Sequence, residues 1–195
     1  LKDKLLWLPD FGIGYYPVEE APYDAGYWQK YQEMEKTDIG RKLNQARLDI
    51  VKAYEFDEII DIGIGSGAFI KELPNAYGFD INPCAVDWLK SVGKYKEPSK
   101  IDAMSFWDSL EHIHNPTALL DNIKTYAFVS CPVYRDKEHI LGSKHFRPDE
   151  HCWYWTKNGL RAFMGNFGFE MVEYSNVESF LGREDIGSFV FKRKL

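Results

Sequence analysis

The sequence predicts an α/β fold: a doubly wound, mainly parallel sheet with helices on both faces and an antiparallel hairpin at its C-terminal edge. Three observations predict it. Short β-branched or apolar runs alternate with helix signals from Glu58 to Cys131. A glycine-rich turn, Gly63 to Gly67, joins the first of those runs to a helix start. The last two strand-like runs, Glu170–Tyr174 and Ile186–Lys192, have no helical pattern between them, which suits an antiparallel pair.

The elements follow in order. Residues 1–22 are broken by Pro9, Gly12, Gly14, Pro17 and Pro22 and read as an irregular arm. Tyr23, Tyr27 and Tyr31 recur every fourth residue and share one helical face, where a lid over a ligand and a packed core face are both open. Thr37-Asp38 caps a second helix with the apolar stripe Ile39, Leu43, Ala46, Ile50 and Val51. Ile59–Ile62 is a buried strand ended by Gly63, and residues 68–73 begin a helix stopped by Pro74. Ala76 to Ile81 forms the next strand, and Pro83 opens a helix through Trp88 and Leu89. Ile101–Trp107 is a strand, a short helix covers Leu119 to Ile123, and Ala127–Cys131 is a strand stopped by Pro132. Residues 133–155 are polar and aromatic without a period. Thr156 caps a helix carrying Leu160, Phe163, Met164 and Phe167 and closed by Gly168. The chain thus divides into an N-terminal arm and lid helix, residues 1–36, and one domain, residues 37–195.

Composition narrows the function classes. The 195 residues leave room for little beyond one domain, and 45% hydrophobic with 16% aromatic residues excludes a disordered or low-complexity chain. Thirty acidic against 24 basic side chains give a net charge of −6, so no nucleic-acid partner is expected. No apolar run reaches bilayer length, and the first nine residues are too short and too charged for a signal peptide. Cys84, Cys131 and Cys152 fit neither a disulfide framework nor a zinc ribbon, so the expected compartment is the cytoplasm. His139, His145 and His151 recur every six residues, a spacing that matches no recognised zinc set, and no metal is expected.

The sharpest motif is Asp61-Ile62-Gly63-Ile64-Gly65-Ser66-Gly67-Ala68. Glycines there allow a tight turn and close approach of backbone N–H groups to a ligand. Asp80 follows at the tip of the next strand, where a carboxylate can accept both hydroxyls of a ribose. Gly63-x-Gly65-x-x-Ala68 also satisfies the dinucleotide fingerprint, which keeps a nicotinamide-dependent oxidoreductase open as an alternative.

With its acidic residue two places before the first glycine, this motif resembles that of the class I S-adenosylmethionine-dependent methyltransferases. Trp107-Asp108-Ser109-Leu110-Glu111-His112-Ile113 is similar to that family's segment after the fourth strand. The resemblance covers roughly residues 39–192, and implies a Rossmann-like seven-stranded sheet, S-adenosylmethionine as cofactor and methyl transfer to a small-molecule acceptor. It implies cofactor contacts at Asp61, Gly63, Gly65, Gly67, Asp80, Ile81, Trp107 and Asp108. Only 21 residues separate Asp80 from Asp102, so either the third strand is very short or adenine is held differently, and the adenine contacts stay unassigned. That gap also keeps a non-catalytic cofactor-binding subunit open.

A neutral imidazole suits a general base near neutrality, which makes His112 and His151 the candidate catalytic residues. The loop 133–155 follows the fifth parallel strand, so His145, His151 and Trp153 to Trp155 are expected beside the strand tips as an acceptor pocket. An irregular arm buries little core, so removing residues 1–22 is expected to affect turnover more than stability.

Overall fold

A computed structural model describes residues 4–18 and 23–194. Residues 19–22, with Pro22 of the expected arm, lie outside the described residues, as do 1–3 and 195. The main sheet takes its strands from β3 (Ile59–Ile62), β4 (Ala76–Phe79), β5 (Ile101–Trp107), β6 (Ile123–Tyr134), β8 (Phe169–Ser175) and β9 (Ile186–Arg193). Their order is β4-β3-β5-β6-β9-β8, parallel from β4 to β6 and antiparallel from β6 onward. The expected C-terminal hairpin is present, with β8 outermost.

Among the described residues, the segment after α4 (Pro83–Ser91) adds only one parallel bridge, Gly78 to Tyr95, at the β4 edge. The short interval between Asp80 and Asp102 leaves room for no more. One correction concerns Pro132, which does not stop its strand. β6 runs on to Tyr134, leaving β5 after Ser130 and meeting β7 (Trp153–Thr156) at Val133. Pro132 falls between the two partners, so its missing N–H removes no ladder bond on that side.

Another correction concerns the arm. β1 (Leu6–Leu8) and β2 (Ile13–Tyr15) form a hairpin, and β2 pairs antiparallel with β7. Pro9 and Gly12 are its turn residues. Leu5 and Tyr16, each 3% exposed, pack with Tyr134, Ile140 and Tyr154 in a satellite core. Trp153 to Trp155, expected as walls of a pocket, are instead this strand's ladder residues, and Tyr154 and Trp155 are fully buried. The arm is therefore neither irregular nor without core. Deleting residues 1–17 removes the buried Leu5 and Tyr16 and uncovers their partners Tyr134, Ile140 and Tyr154, and should cost about 3–6 kcal/mol. Urea denaturation of the deleted chain checks this, and an unchanged midpoint would contradict it.

Strand alternation sorts the main core onto two faces. Ile60, Met104, Phe106 and Val129 pack on one side with Leu160 and Met164 of α7 (Lys157–Asn166). Ile59, Ala103 and Phe128 pack on the other with Leu48 and Val51 of α2 (Asp38–Lys52), Phe69 and Ile70 of α3 (Ala68–Glu72), and Leu89 of α4. Thr37 and Thr156 cap α2 and α7 as the sequence predicts, accepting from Gly40 N and Gly159 N. α1 (Ala25–Glu35) has no fully buried residue. Shorter helices α5 (Thr117–Leu120), α6 (Lys137–Gly142) and α8 (Val177–Phe180) complete the fold. Among the described residues no helix is long and apolar enough to cross a membrane.

Candidate active site

The carboxyl ends of β3, β4 and β5 open into one cavity of about 540 Å³. Parallel sheets place ligands at this end because the βα turns gather there. Its floor is the turn after β3, where Gly63, Gly65 and Gly67 all have positive φ, conformations that side-chain-bearing residues rarely adopt. The three glycines face different neighbours. A Cβ on Gly67 would stand 2.5 Å from the Trp88 ring, and one on Gly63 would stand 2.9 Å from Ser109 Cβ. On Gly65 it would meet the Tyr31 ring at 3.3 Å, on the side where α1 covers the loop.

Two carboxylates hold this turn. Asp61, 1% exposed, accepts from Ser105 Oγ at 2.7 Å on the neighbouring strand. Asp80 accepts from Ile64 N at 2.9 Å through one oxygen and from Asn82 N at 2.8 Å through the other, joining the glycine turn to the start of α4. Burial raises the Asp80 carboxyl, while the N–H groups of Asn82, Ile64 and Ile81 work against the rise. Ile81 beside it is 69% exposed at the cavity rim.

Burial pushes Asp61 up to about 7 in spite of its Ser105 bond. Its folded pKa lies above the ordinary value of 3.8, so the folded chain keeps a proton that the unfolded chain releases. This contribution is present at acid pH and is lost as pH rises through about 7. Asp61→Asn removes the titration. Between pH 5.5 and 8 the variant should gain about 2 kcal/mol relative to the parent. Parallel urea titrations at the two pH values measure the difference, and a constant gap would show that Asp61 is ionised throughout.

Asp108 follows β5 with φ 56. Its carboxylate accepts from Arg47 Nη2 at 2.7 Å and from Arg183 Nη1 and Nη2 at 2.8 and 2.9 Å. Both arginines also bond Glu178 of α8, which is 0% exposed. Burial alone would raise the Asp108 carboxyl, but Arg183 and Arg47 hold it well below the usual carboxylate range. The Arg47 guanidinium lies 5.3 Å from the centre of the Trp107 ring, and Trp107 is a buried part of the cavity wall.

The opposite wall carries His112 and His151, whose ring centres are 4.6 Å apart and nearly perpendicular. Burial pushes His112 down to about 4 and His151 well below its ordinary value, so both are neutral imidazoles at pH 7. Tyr23, Tyr27 and Tyr31 cross the cavity between this pair and the glycine turn. Tyr27 and Tyr31 share a hydroxyl hydrogen bond of 3.1 Å, and Tyr23 Oη lies 3.2 Å from His112 Nδ1. Burial raises all three phenols, which stay protonated. Unpartnered buried polar atoms concentrate around this cavity: Trp107 Nε1, Ser109 Oγ, both Glu111 carboxylate oxygens and His151 Nδ1. Groups of this kind mark a place built to meet a ligand.

One cavity thus lines up every catalytic and cofactor-contact candidate read from the sequence except Gly67, which packs under Trp88 beside it. His145 lines it too, whereas His139 bonds Asp185 elsewhere, and Trp153 to Trp155 are absent from its wall. Sequence reasoning missed Arg47, Glu111, Glu178 and Arg183. Arg47 had a legible signal: it stands four residues from both Leu43 and Val51, a charge inside an apolar stripe. Arg183, in the turn after α8, had none.

The profile of a family described as a methyltransferase domain matches residues 29–174. No curated protein matches the chain in sequence. Solved structures share its fold at low identity. The magnesium protoporphyrin IX methyltransferase of Synechocystis PCC 6803, with bound S-adenosylhomocysteine, is 14% identical with a TM-score of 0.62, covering 88% of this chain and 96% of that one. The 1,6-didemethyltoxoflavin-N1-methyltransferase of Burkholderia thailandensis, solved with 1,6-didemethyltoxoflavin and S-adenosylhomocysteine, is 12% identical with a TM-score of 0.59, covering 98% and 100%. The [4+2]-cyclase SpnF, 12% identical with a TM-score of 0.60, covers 93% and 99%. The family profile spans more than half of the chain and includes the glycine turn, Asp80 and the Asp108–Ile113 segment. On that match, the chain belongs to the class I S-adenosylmethionine-dependent methyltransferases.

Proposed function

We propose that this chain transfers a methyl group from S-adenosylmethionine to a small-molecule acceptor held against His112 and His151. One observation carries the reading: a single cavity joins the glycine turn and Asp80 on one side to two neutral imidazoles on the other. When bound, the cofactor supplies an electrophilic methyl on a sulfonium. The residues present fit it. Gly63 and Gly65 leave room for the methionine portion, Gly67 lets the turn close on Trp88, and Asp61 holds the strand end below. Asp80 has lone pairs left for ribose hydroxyls, and Ile81 offers an apolar face at the rim. Trp107 Nε1 and Ser109 Oγ are unpartnered donors, and Asp108 faces the cavity between its arginines.

In that transfer the acceptor's bond to the methyl carbon would form as the carbon–sulfur bond broke, with its electron pair left on sulfur, and the part of this chain's residues is to hold the acceptor in line. Alignment within about 3–3.5 Å supplies much of the rate. His112 and His151 provide the nitrogen lone pairs on the acceptor side, where the acceptor's proton must leave. Tyr27 and Tyr31 of α1, with Tyr23 just before it, keep water from the sulfonium, so the lid helix, rather than the hairpin before it, caps the domain formed by 37–195. The small-molecule acceptor accords with the deep, partly apolar cavity and the absence of a basic surplus. The family match leaves the nicotinamide alternative unsupported.

Calorimetry with S-adenosylmethionine and, separately, NADH tests the cofactor. A screen of phenols, amines and acidic carbon acids for release of S-adenosylhomocysteine tests the acceptor. Binding of NADH alone would overturn the reading, and cofactor binding without turnover on any class would leave a binding subunit in its place.

A further inference from the structure

We infer that Glu111, His112 and His151 form a binding site for one divalent transition-metal ion on the acceptor side of the cavity. Their ligand atoms all lie within 4.8 Å of one another. Glu111 sits in the 3₁₀ turn Leu110–His112 directly after Asp108, and His151 comes from the segment before β7, so two separate stretches of chain converge.

The feature that needs explaining is Glu111. It is 1% exposed and neither carboxylate oxygen has a partner. An unmatched buried carboxylate is costly, and the nearby cations do not meet it. Arg47 and Arg183 are committed to Asp108 and Glu178, and Arg147 pairs with Glu150. What does face Glu111 is a pair of imidazoles. His151 is 4% exposed with Nδ1 unpartnered, and His112 is steadied by the Tyr23 hydroxyl at Nδ1, which leaves Nε2 for a ligand. A partner that holds the ring and sets its tautomer is what metal-bound histidines ordinarily have.

Two imidazole nitrogens and one carboxylate suit zinc, iron, cobalt, nickel or manganese better than magnesium or calcium, which prefer all-oxygen sets. Ligand atoms around such an ion lie about 3.3 Å apart for bonds of about 2.0–2.1 Å, so the side chains must close in by roughly 1 Å. Three protein ligands leave coordination positions facing the cavity. These positions would take a hydroxyl, phenol or carboxylate oxygen of the acceptor, because a bound ion lowers the pKa of such an oxygen and so favours its anionic form. With an ion bound the two imidazole lone pairs are committed to the metal, and its effect on the acceptor's pKa takes the place of their service as bases. This role rests on the methyl-transfer reading, whereas the presence of the site does not. Regular spacing of His139, His145 and His151 concealed the set, since only the last belongs to it.

The test uses the full chain stripped with a chelator. Titration with Co²⁺ should give one equivalent bound, with visible d–d bands that Zn²⁺ abolishes by displacement. Glu111→Gln and His151→Ala should each weaken Zn²⁺ binding by about 100-fold or more. His139→Ala, away from the cavity, should leave it unchanged. The inference is overturned if the parent takes up neither ion, a result that does not depend on any variant folding. It is also overturned if Zn²⁺ binding survives in a folded His112→Ala/His151→Ala double variant. S-adenosylhomocysteine binding measured on the same samples separates the two proposals: its absence in the parent sinks the methyl-transfer reading and leaves the ion site standing.

Discussion

Arg47→Ala is expected to destabilise the fold by about 3–5 kcal/mol, the cost of breaking a buried ion pair from one side. Arg47 bonds Asp108 and both oxygens of Glu178, and Glu178 is 0% exposed. Without the guanidinium, Arg183 alone must balance two carboxylates. Asp108 would also lose one of the three guanidinium hydrogen bonds that hold it at φ 56, and Trp107 would lose the cation above its ring. Adding Glu178→Gln should recover part of the loss, because a neutral amide needs less compensation in the same place. Urea denaturation of the two single variants and the double closes the cycle. A loss under about 1 kcal/mol for Arg47→Ala would mean that water reaches the cluster and screens it.

Gly65→Val is expected to weaken S-adenosylmethionine binding by about 100-fold, close to 3 kcal/mol. Its φ of 55 and its 3.3 Å approach to the Tyr31 ring put any branched side chain between the glycine turn and the tyrosine row. The backbone strain of a left-handed valine, about 1–2 kcal/mol, adds a stability cost of its own. Gly67→Ala provides the contrast. Its Cβ would collide with the Trp88 ring at 2.5 Å, so its effect should fall on the melting temperature, with binding reduced far less. Asp80→Ala belongs with Gly65, at about 1–3 kcal/mol of binding for a lost charged acceptor. Thermal melts beside calorimetry separate these effects. If Gly65→Val and Asp80→Ala bind like the parent, the turn is structural and the cofactor lies elsewhere.

The contrast between two glycines two residues apart shows where sequence reading runs out. The strand–turn–helix unit from Ile59 to Glu72 was legible because its signals are local: a β-branched run, three glycines, then a helix stopped by Pro74. The caps at Thr37 and Thr156 were legible for the same reason. Which glycine faces Tyr31 and which faces Trp88 depends on helices 30 residues before and 20 after, and no local pattern records that. The N-terminal hairpin was misread because its breakers, Pro9 and Gly12, mark a turn only when a partner strand is known. Pro132 misled for a related reason, since its strand changes neighbours at that residue. Glu111 stood inside a quoted motif and still carried no role, because its lack of partners is a property of the surrounding packing. His112 and His151 were named separately from their residue type, and only the fold puts their rings side by side.

The pairing of β2 with β7 has a consequence for how this molecule is made. Tyr15 meets Trp153 across the ladder, so a ribosome must add 138 further residues before the first strands have a partner. At ordinary elongation speeds that delay is roughly 7–28 s. Throughout it Leu6, Leu8 and Phe11 wait in a nascent chain with no sheet to join, and even in the finished fold they stay more than half exposed. The earliest part of this sequence to leave the tunnel is therefore among the last to be secured, and slowed synthesis would lengthen the interval in which a chaperone or a second nascent chain can reach it.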